Sequence, residues 1–181
     1  MKTLILYASK TGNTKAYAED IAKKVQADVA PLRGFKAKKM VAYDTIVFGG
    51  WVEGGTIKGL DKFLSNYSLI EGKNVIIFSV GMSIPSVDGR ALLIEQNLLD
   101  MYHVRYYQVR GSFDIKKLHF PANLMIMNSL KMIANDPQAS ADQKSLIDIK
   151  NRPIIVYDNE KIDRIVNVIN GLAFVQPAGA K

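Results

Sequence analysis

The chain of 181 residues contains no cysteine, which excludes disulfides, thiolate-held zinc or iron–sulfur centres and thiol nucleophiles together. Histidine is nearly as scarce, and His103 and His119 have no acidic companions at ligand spacing, so both read as structural or solvent-facing and no metal site is expected. No stretch approaches the roughly 18 consecutive apolar residues of a membrane-spanning helix. The N-terminus runs straight into a strand pattern without the charged and apolar segments of a signal peptide, so the expectation is a cytoplasmic protein. Two nucleotide signatures are also missing, G-x-x-x-x-G-K-S/T and G-x-G-x-x-G, which disfavours nucleoside triphosphates and dinucleotides as ligands. Redox chemistry in such a chain would fall to an organic cofactor.

Nearly half the residues, 48%, are hydrophobic, enough for a substantial core in one domain spanning residues 1–181. The formal charge of +7 and pI near 9.5 favour anionic partners: membrane headgroups, acidic proteins, carboxylated substrates or nucleic acid. The cations are scattered, however, as Lys23-Lys24, Lys36, Lys38-Lys39 and Lys116-Lys117, with no arginine-rich arm, zinc finger or RNP-like aromatic strand. That pattern argues against nucleic acid.

Thr3 to Ala8 is an apolar run suited to a strand buried on both faces, and it passes directly into Ser9-Lys10-Thr11-Gly12-Asn13-Thr14. Behind this polar loop, Ala18, Ile21, Ala22 and Val25 are spaced to put one apolar stripe on a helix starting near Asn13. The first turn of such a helix has unpaired N–H groups, and its macrodipole favours an anion by roughly 0.3–1 kcal/mol. The hydroxyls of Ser9, Thr11 and Thr14 can donate further bonds, Gly12 permits close backbone approach, and the set reads as a monophosphate cradle. The competing reading, Thr11 and Asn13 as mere helix caps, leaves the other hydroxyls and the glycine without a role.

Further strands are expected at Asp28–Leu32, Thr45–Gly49, Lys73–Val80 and Tyr106–Gly111, with at most two helical turns in the basic stretch 33–42. A glycine-dense loop, Gly49-Gly50-Trp51-Val52-Glu53-Gly54-Gly55-Thr56, precedes a helix expected over Lys58–Tyr67. In a parallel sheet this loop would stand beside the phosphate loop, so Trp51 is positioned to cover a flat ring and its glycines suggest close backbone approach. Glu53 reads as a solvated rim charge. The exit of the next strand, Gly81-Met82-Ser83-Ile84-Pro85-Ser86, would form a third wall before a helix near Gly89–Leu99.

Strand plus S-x-T-G-N-T resembles the FMN-phosphate loop of the flavodoxin family, and the similarity extends through Tyr43–Gly49 and the tail of the chain. The resemblance implies a doubly wound α/β fold, a five-stranded parallel sheet in the order 2-1-3-4-5 with helices on both faces, and non-covalent FMN. Its implied contacts are Ser9, Lys10, Thr11, Gly12, Asn13 and Thr14 for the phosphate, with Gly49, Gly50, Trp51, Val52 and Glu53 on one side of the ring and Val80, Gly81 and Met82 on the other. Members of the family commonly carry an aromatic ring in that last loop, and this chain has none. No side chain is singled out as catalytic.

After the fifth strand the chain inserts about forty residues, 112–152, before Ile154-Ile155-Val156-Tyr157 and a closing amphipathic helix over about Glu160–Leu172. Within the insertion, Leu124, Met125, Ile126, Met127, Leu130, Met132 and Ile133 make a helix apolar around most of its circumference. It packs on its own domain, meets a second copy, or lies on an apolar partner, with Lys116 and Lys117 ready for anionic headgroups. By the position of this insertion the chain resembles the quinone-dependent protoporphyrinogen dehydrogenase group. Three readings follow: an FMN oxidoreductase using a quinone or porphyrin, peripheral to a membrane; a single-domain electron carrier; and a flavin-free interaction protein. The basic charge and the insertion favour the first.

Overall fold

The computed structural model describes residues 1–117, 120–139, 143–144, 146–150 and 153–174; His119 and parts of the insertion lie outside that set. The leading apolar run forms β1 (Thr3–Tyr7), which pairs in parallel with β2 (Asp28–Pro31) on one side and β3 (Thr45–Glu53) on the other. Beyond β3 lie β5 (Asn74–Gly81) and β6 (Val104–Arg110), also parallel, giving the order β2-β1-β3-β5-β6. A two-residue strand, β4 (Thr56–Ile57), folds back antiparallel on the end of β3. With that hairpin strand counted, the expected fourth and fifth strands are β5 and β6, and the 2-1-3-4-5 order holds.

Strand side chains alternate between faces, and both faces are covered. On one, Leu4, Leu6, Ile46, Phe48, Val75 and Ile77 meet Leu60 and Phe63 of α2 (Leu60–Leu64) and Leu93 of α3 (Val87–Gln96). On the other, Ile5, Val47, Ile76, Phe78, Val80 and Val109 meet Tyr17, Ala18 and Ile21 of α1 (Asn13–Val25) together with Ile162, Ile165 and Ile169 of the last helix. The insertion contributes α4 (Ala122–Asn135), and α5 (Asn159–Phe174) closes the chain.

Three expectations need correcting. Gly49–Glu53 is not a loop: β3 runs through it, and only Gly54 and Gly55, both at positive φ, turn the chain into β4. The helix expected over 58–67 is only α2, followed by a 3-10 turn at Tyr67–Leu69, because the side chains of Ser65 and Asn66 donate to the Lys62 carbonyl and compete with helix continuation. The helix expected to Leu99 stops at Gln96. There the Asn97 amide donates to the carbonyls of Leu93 and Gly55, and its oxygen accepts from the Ile57 N–H at 2.8 Å, tying the end of α3 to β4.

Candidate functional site

At the carboxyl end of β1 the chain turns through Ser9–Gly12 into α1. Gly12 sits at φ +93°, a conformation open to glycine at little cost, and a Cβ there would meet nothing within 4 Å, so the space above the loop is open. Its N–H donates to Ser9 Oγ at 3.2 Å, shaping the turn. Among the described residues no side chain accepts from the first-turn N–H groups of α1, and that turn carries no acidic residue. The amides at the start of the helix are thus left for an external anion. Asn13 is tied elsewhere: its Nδ2 donates to Thr11 Oγ1 at 3.3 Å and to the Ser112 carbonyl after β6.

Of the three expected hydroxyls, Thr11 is exposed, Ser9 is half-buried in the turn, and Thr14 is 1% exposed against the body of the protein. Lys10 Nζ lies 2.8 Å from Glu53 Oε1, with Lys58 Nζ 3.6 Å from the other carboxylate oxygen. The Lys10 hydrogen bond, with the charges of both lysines behind it, holds the Glu53 carboxyl below its usual range. Glu53 is therefore a rim charge that joins the end of β3 to the loop after β1.

By alternation along β3, Trp51 takes the face of Val47, the one that α1 covers. Its ring is half-buried, and its Nε1 is buried with no acceptor among the described residues. An indole N–H normally finds a partner when buried, so an orphan at this end of the sheet suits a site that a ligand completes. Gly49 and Gly50 have a different explanation from close approach to a ligand. Both are buried; a Cβ on Gly49 would overlap the Phe78 ring, and one on Gly50 would lie 2.6 Å from Ile57 Cγ2 and 2.7 Å from the Lys58 carbonyl.

Val52 packs into the α2–α3 face, Val80 and Gly81 belong to β5, and Met82 turns into a small cluster of the insertion around Ile115, Leu130, Leu146 and Ile149. The structure thus joins the Ser9–Thr14 loop to Glu53 through Lys10, with Trp51 on the same face of β3 as Glu53, while Gly49, Gly50, Val52, Val80, Gly81 and Met82 have packing partners within the protein. Ile126 and Met127 of α4 join the Met82 cluster, whereas Leu124, Met125 and Met132 are exposed, as is Phe120 before the helix. Lys116 is exposed as well.

Sequence reading missed the struts behind the loop. Tyr17 Oη donates to the Arg110 carbonyl at 2.7 Å and accepts from the Asp158 N–H at 2.8 Å, while the Tyr157 ring stacks on the Tyr17 ring at 4.5 Å and the Tyr157 hydroxyl donates to Asp20 at 2.9 Å. Burial raises the Tyr17 phenol, and burial with Asp20 raises that of Tyr157, so both stay neutral donors at ordinary pH. Ser112 Oγ donates to the Val156 carbonyl at 2.8 Å and accepts from its N–H at 3.0 Å. Together these bonds hold the segment after β6 against the start of α1. The only signal in the sequence was the place of Tyr17 one residue from the apolar stripe.

A doubly wound parallel sheet with an open helix N-terminus at the carboxyl end of its first strand defines an α/β protein whose ligand crevice lies outside the strand ends. More narrowly, a family model described as Flavodoxin domain matches residues 4–140, and the chain belongs to that family. Similar solved structures include oxidised flavodoxin 2 from Bacillus cereus (22% identity, covering 61% of this chain and 85% of that one, TM-score 0.45). A two-electron reduced flavodoxin from Megasphaera elsdenii (17%, 59% and 82%, 0.45) and a flavoprotein in complex with FMN from Lactobacillus acidophilus (18%, 60% and 91%, 0.43) are comparable. No curated protein matches the chain. Nothing in these matches singles out the protoporphyrinogen dehydrogenase group. No helix among the described residues is long and apolar enough to cross a membrane.

Proposed function

We propose that the chain holds FMN non-covalently and works as an oxidoreductase that exchanges electrons with a redox partner. The observation that carries the reading is the start of α1: an uncapped, acid-free helix N-terminus beneath open space, reached through a glycine at φ +93°. The first-turn amides of α1 and the hydroxyls of Ser9 and Thr11 donate to the phosphate, and Lys10 adds charge at the rim. Trp51 lies against the ring system, where the buried N–H gains an acceptor. FMN, when bound, would supply the electron transfer. The protein's own part is to bind, orient and shield.

A second reading adds a substrate. The exposed side chains of Phe120, Leu124, Met125 and Met132 would seat an apolar acceptor such as a quinone, or a porphyrin, with Lys116 near its acidic groups or near lipid headgroups at a membrane surface. In this reading the chain oxidises protoporphyrinogen with a quinone acceptor. A homo-oligomer buried on the same face is the alternative.

Titration with FMN, followed by Trp51 fluorescence, tests the cofactor: binding should quench the emission, and replacing both Ser9 and Thr11, by Ala and Val, should weaken it by about 1–3 kcal/mol per lost charge-assisted bond. Equal curves for parent and variant would remove the phosphate assignment. Turnover with quinone or porphyrin that survives replacement of Leu124, Met125 and Met132 by Gln would leave the electron-carrier reading.

A further inference from the structure

On the side of the sheet away from β2, β6 is an edge strand, and its outer row of backbone groups lines an open groove of about 660 Å³ between α3 and α5. The direction of that row follows from two bonds. The Gly111 N–H donates inward to the Gly81 carbonyl, whereas the Tyr106 carbonyl accepts from Arg90 Nη2 at 3.2 Å on the outer side. Since N–H and C=O of one strand residue point the same way, Tyr106 and Gln108 both face outward. Arg90 covers the Tyr106 carbonyl; the Tyr106 N–H and both backbone groups of Gln108 have no partner among the described residues.

Two further observations converge on this edge. Gln108 is only 7% exposed, lines the groove, and its Oε1 is buried without a hydrogen-bond partner among the described residues. The groove is also rimmed by Arg90 on the α3 side and, by alternation along β6, by Arg105 with Lys161 and Arg164 on the α5 side, with no carboxylate among its described lining residues. Arg164 is paired with Glu160 at 2.6 Å; Arg90, Arg105 and Lys161 make no ion pair among the described residues.

We propose that the open edge of β6 is a docking site for an extended acidic segment of a partner protein, which adds to the sheet as a further strand. The chemistry of the unmet groups selects this occupant. The backbone carbonyl of Gln108 needs an N–H donor, the outward N–H groups need acceptors, and the rim needs carboxylates. A free inorganic anion supplies no N–H, and a second copy of this chain would set like charges against each other across the groove. Arg90, whose guanidinium also lies over the Tyr106 ring at 5.7 Å, must leave the Tyr106 carbonyl as the strand enters, and its exposed side chain then turns to a carboxylate of the guest. The site lies along the strand edge and does not depend on whether a cofactor is bound.

The test uses a short fluorescein-labelled peptide of alternating glutamate and valine, read by anisotropy on the full chain, beside the same peptide with alternate amides N-methylated. The parent protein should bind the first and not the second, and excess inorganic phosphate should not displace it. Binding should also slow hydrogen exchange at the Tyr106 and Gln108 amides. Reversing charge at two exposed sites, Arg105→Glu with Lys161→Glu, should weaken binding on the order of tenfold, with an unchanged circular dichroism spectrum as the folding control. Equal binding of the methylated peptide, displacement by phosphate, an unaffected charge-reversed variant, or no binding at all would each overturn the proposal.

Discussion

The sheet and the insertion use apolar residues in opposite ways. In the sheet, every second residue of β1, β3 and β5 goes to one covered face and its neighbours to the other, and Phe48, stacked on Phe63 with ring centroids 4.8 Å apart, is fully buried. In α4 the apolar residues surround the helix, yet cover exists on one side only: Leu130 is buried while Met132, two residues on, is 74% exposed. Apolarity thus predicts burial where the element has two covered faces. Where one side is covered, it leaves a surface that needs another explanation.

The sharpest way to break this comparison is to cut one large side chain from each region. Phe48→Ala should cost about 3–5 kcal/mol and lower the urea midpoint of the whole chain. Leu130→Ala should cost about 2 kcal/mol, because its cluster lies at the periphery and can collapse, and native-state hydrogen exchange should leave β1 and β3 amides as slow as in the parent. If both changes opened β1 and β3 alike, the insertion would be part of the main core.

The strands and the helix entry after β1 were legible because they rest on local signals, while the sheet order came with the resemblance to the flavodoxin family. Thr3–Ala8 could be a buried strand from its composition, and Ser9–Thr14 followed by a helical stripe could be a helix entry from its chemistry. What misled was glycine. Gly49 and Gly50 have no side chain because Phe78, Ile57 and the Lys58 carbonyl already occupy the space, and these neighbours are distant in sequence. The Tyr17, Tyr157 and Ser112 struts were hidden for the same reason, since their partners lie across the fold. Two short helices were overdrawn because side chains of Ser65, Asn66 and Asn97 take carbonyls that a pattern of apolar residues cannot reveal.

Glycines sharpen the comparison at a smaller scale. Gly50→Ala places a methyl 2.7 Å from the Lys58 carbonyl, a backbone group that cannot rotate away, and should cost about 1–3 kcal/mol. Gly171 sits within α5, where an added Cβ would meet nothing inside 4 Å, so Gly171→Ala should instead stabilise by about 0.5–1 kcal/mol through helix propensity. Urea midpoints moving in opposite directions would bear this out; a loss at both positions would place unseen packing around α5.

The smallest effect concerns the rim where the loop after β1 meets the end of β3. The Glu53 carboxyl titrates below its ordinary value of 4.5, chiefly through the hydrogen bond from Lys10. A carboxyl depressed in the folded state contributes stability above its unfolded value, and that contribution is lost as pH falls through the folded one. Both side chains are about half exposed, at 48% and 50%, so solvent screens the pair and its contribution is about 0–1 kcal/mol. Lys10→Met should therefore lower the urea midpoint slightly at neutral pH, and the gap to the parent should close as pH drops below 4.5. Added salt should close it too, since exposed charges are screened over about 10 Å at 0.1 M. A gap that persists in acid and in salt would mean that Lys10 steadies the loop through the packing of its aliphatic stem, and Glu53 would then be free to meet a ligand or partner at the rim.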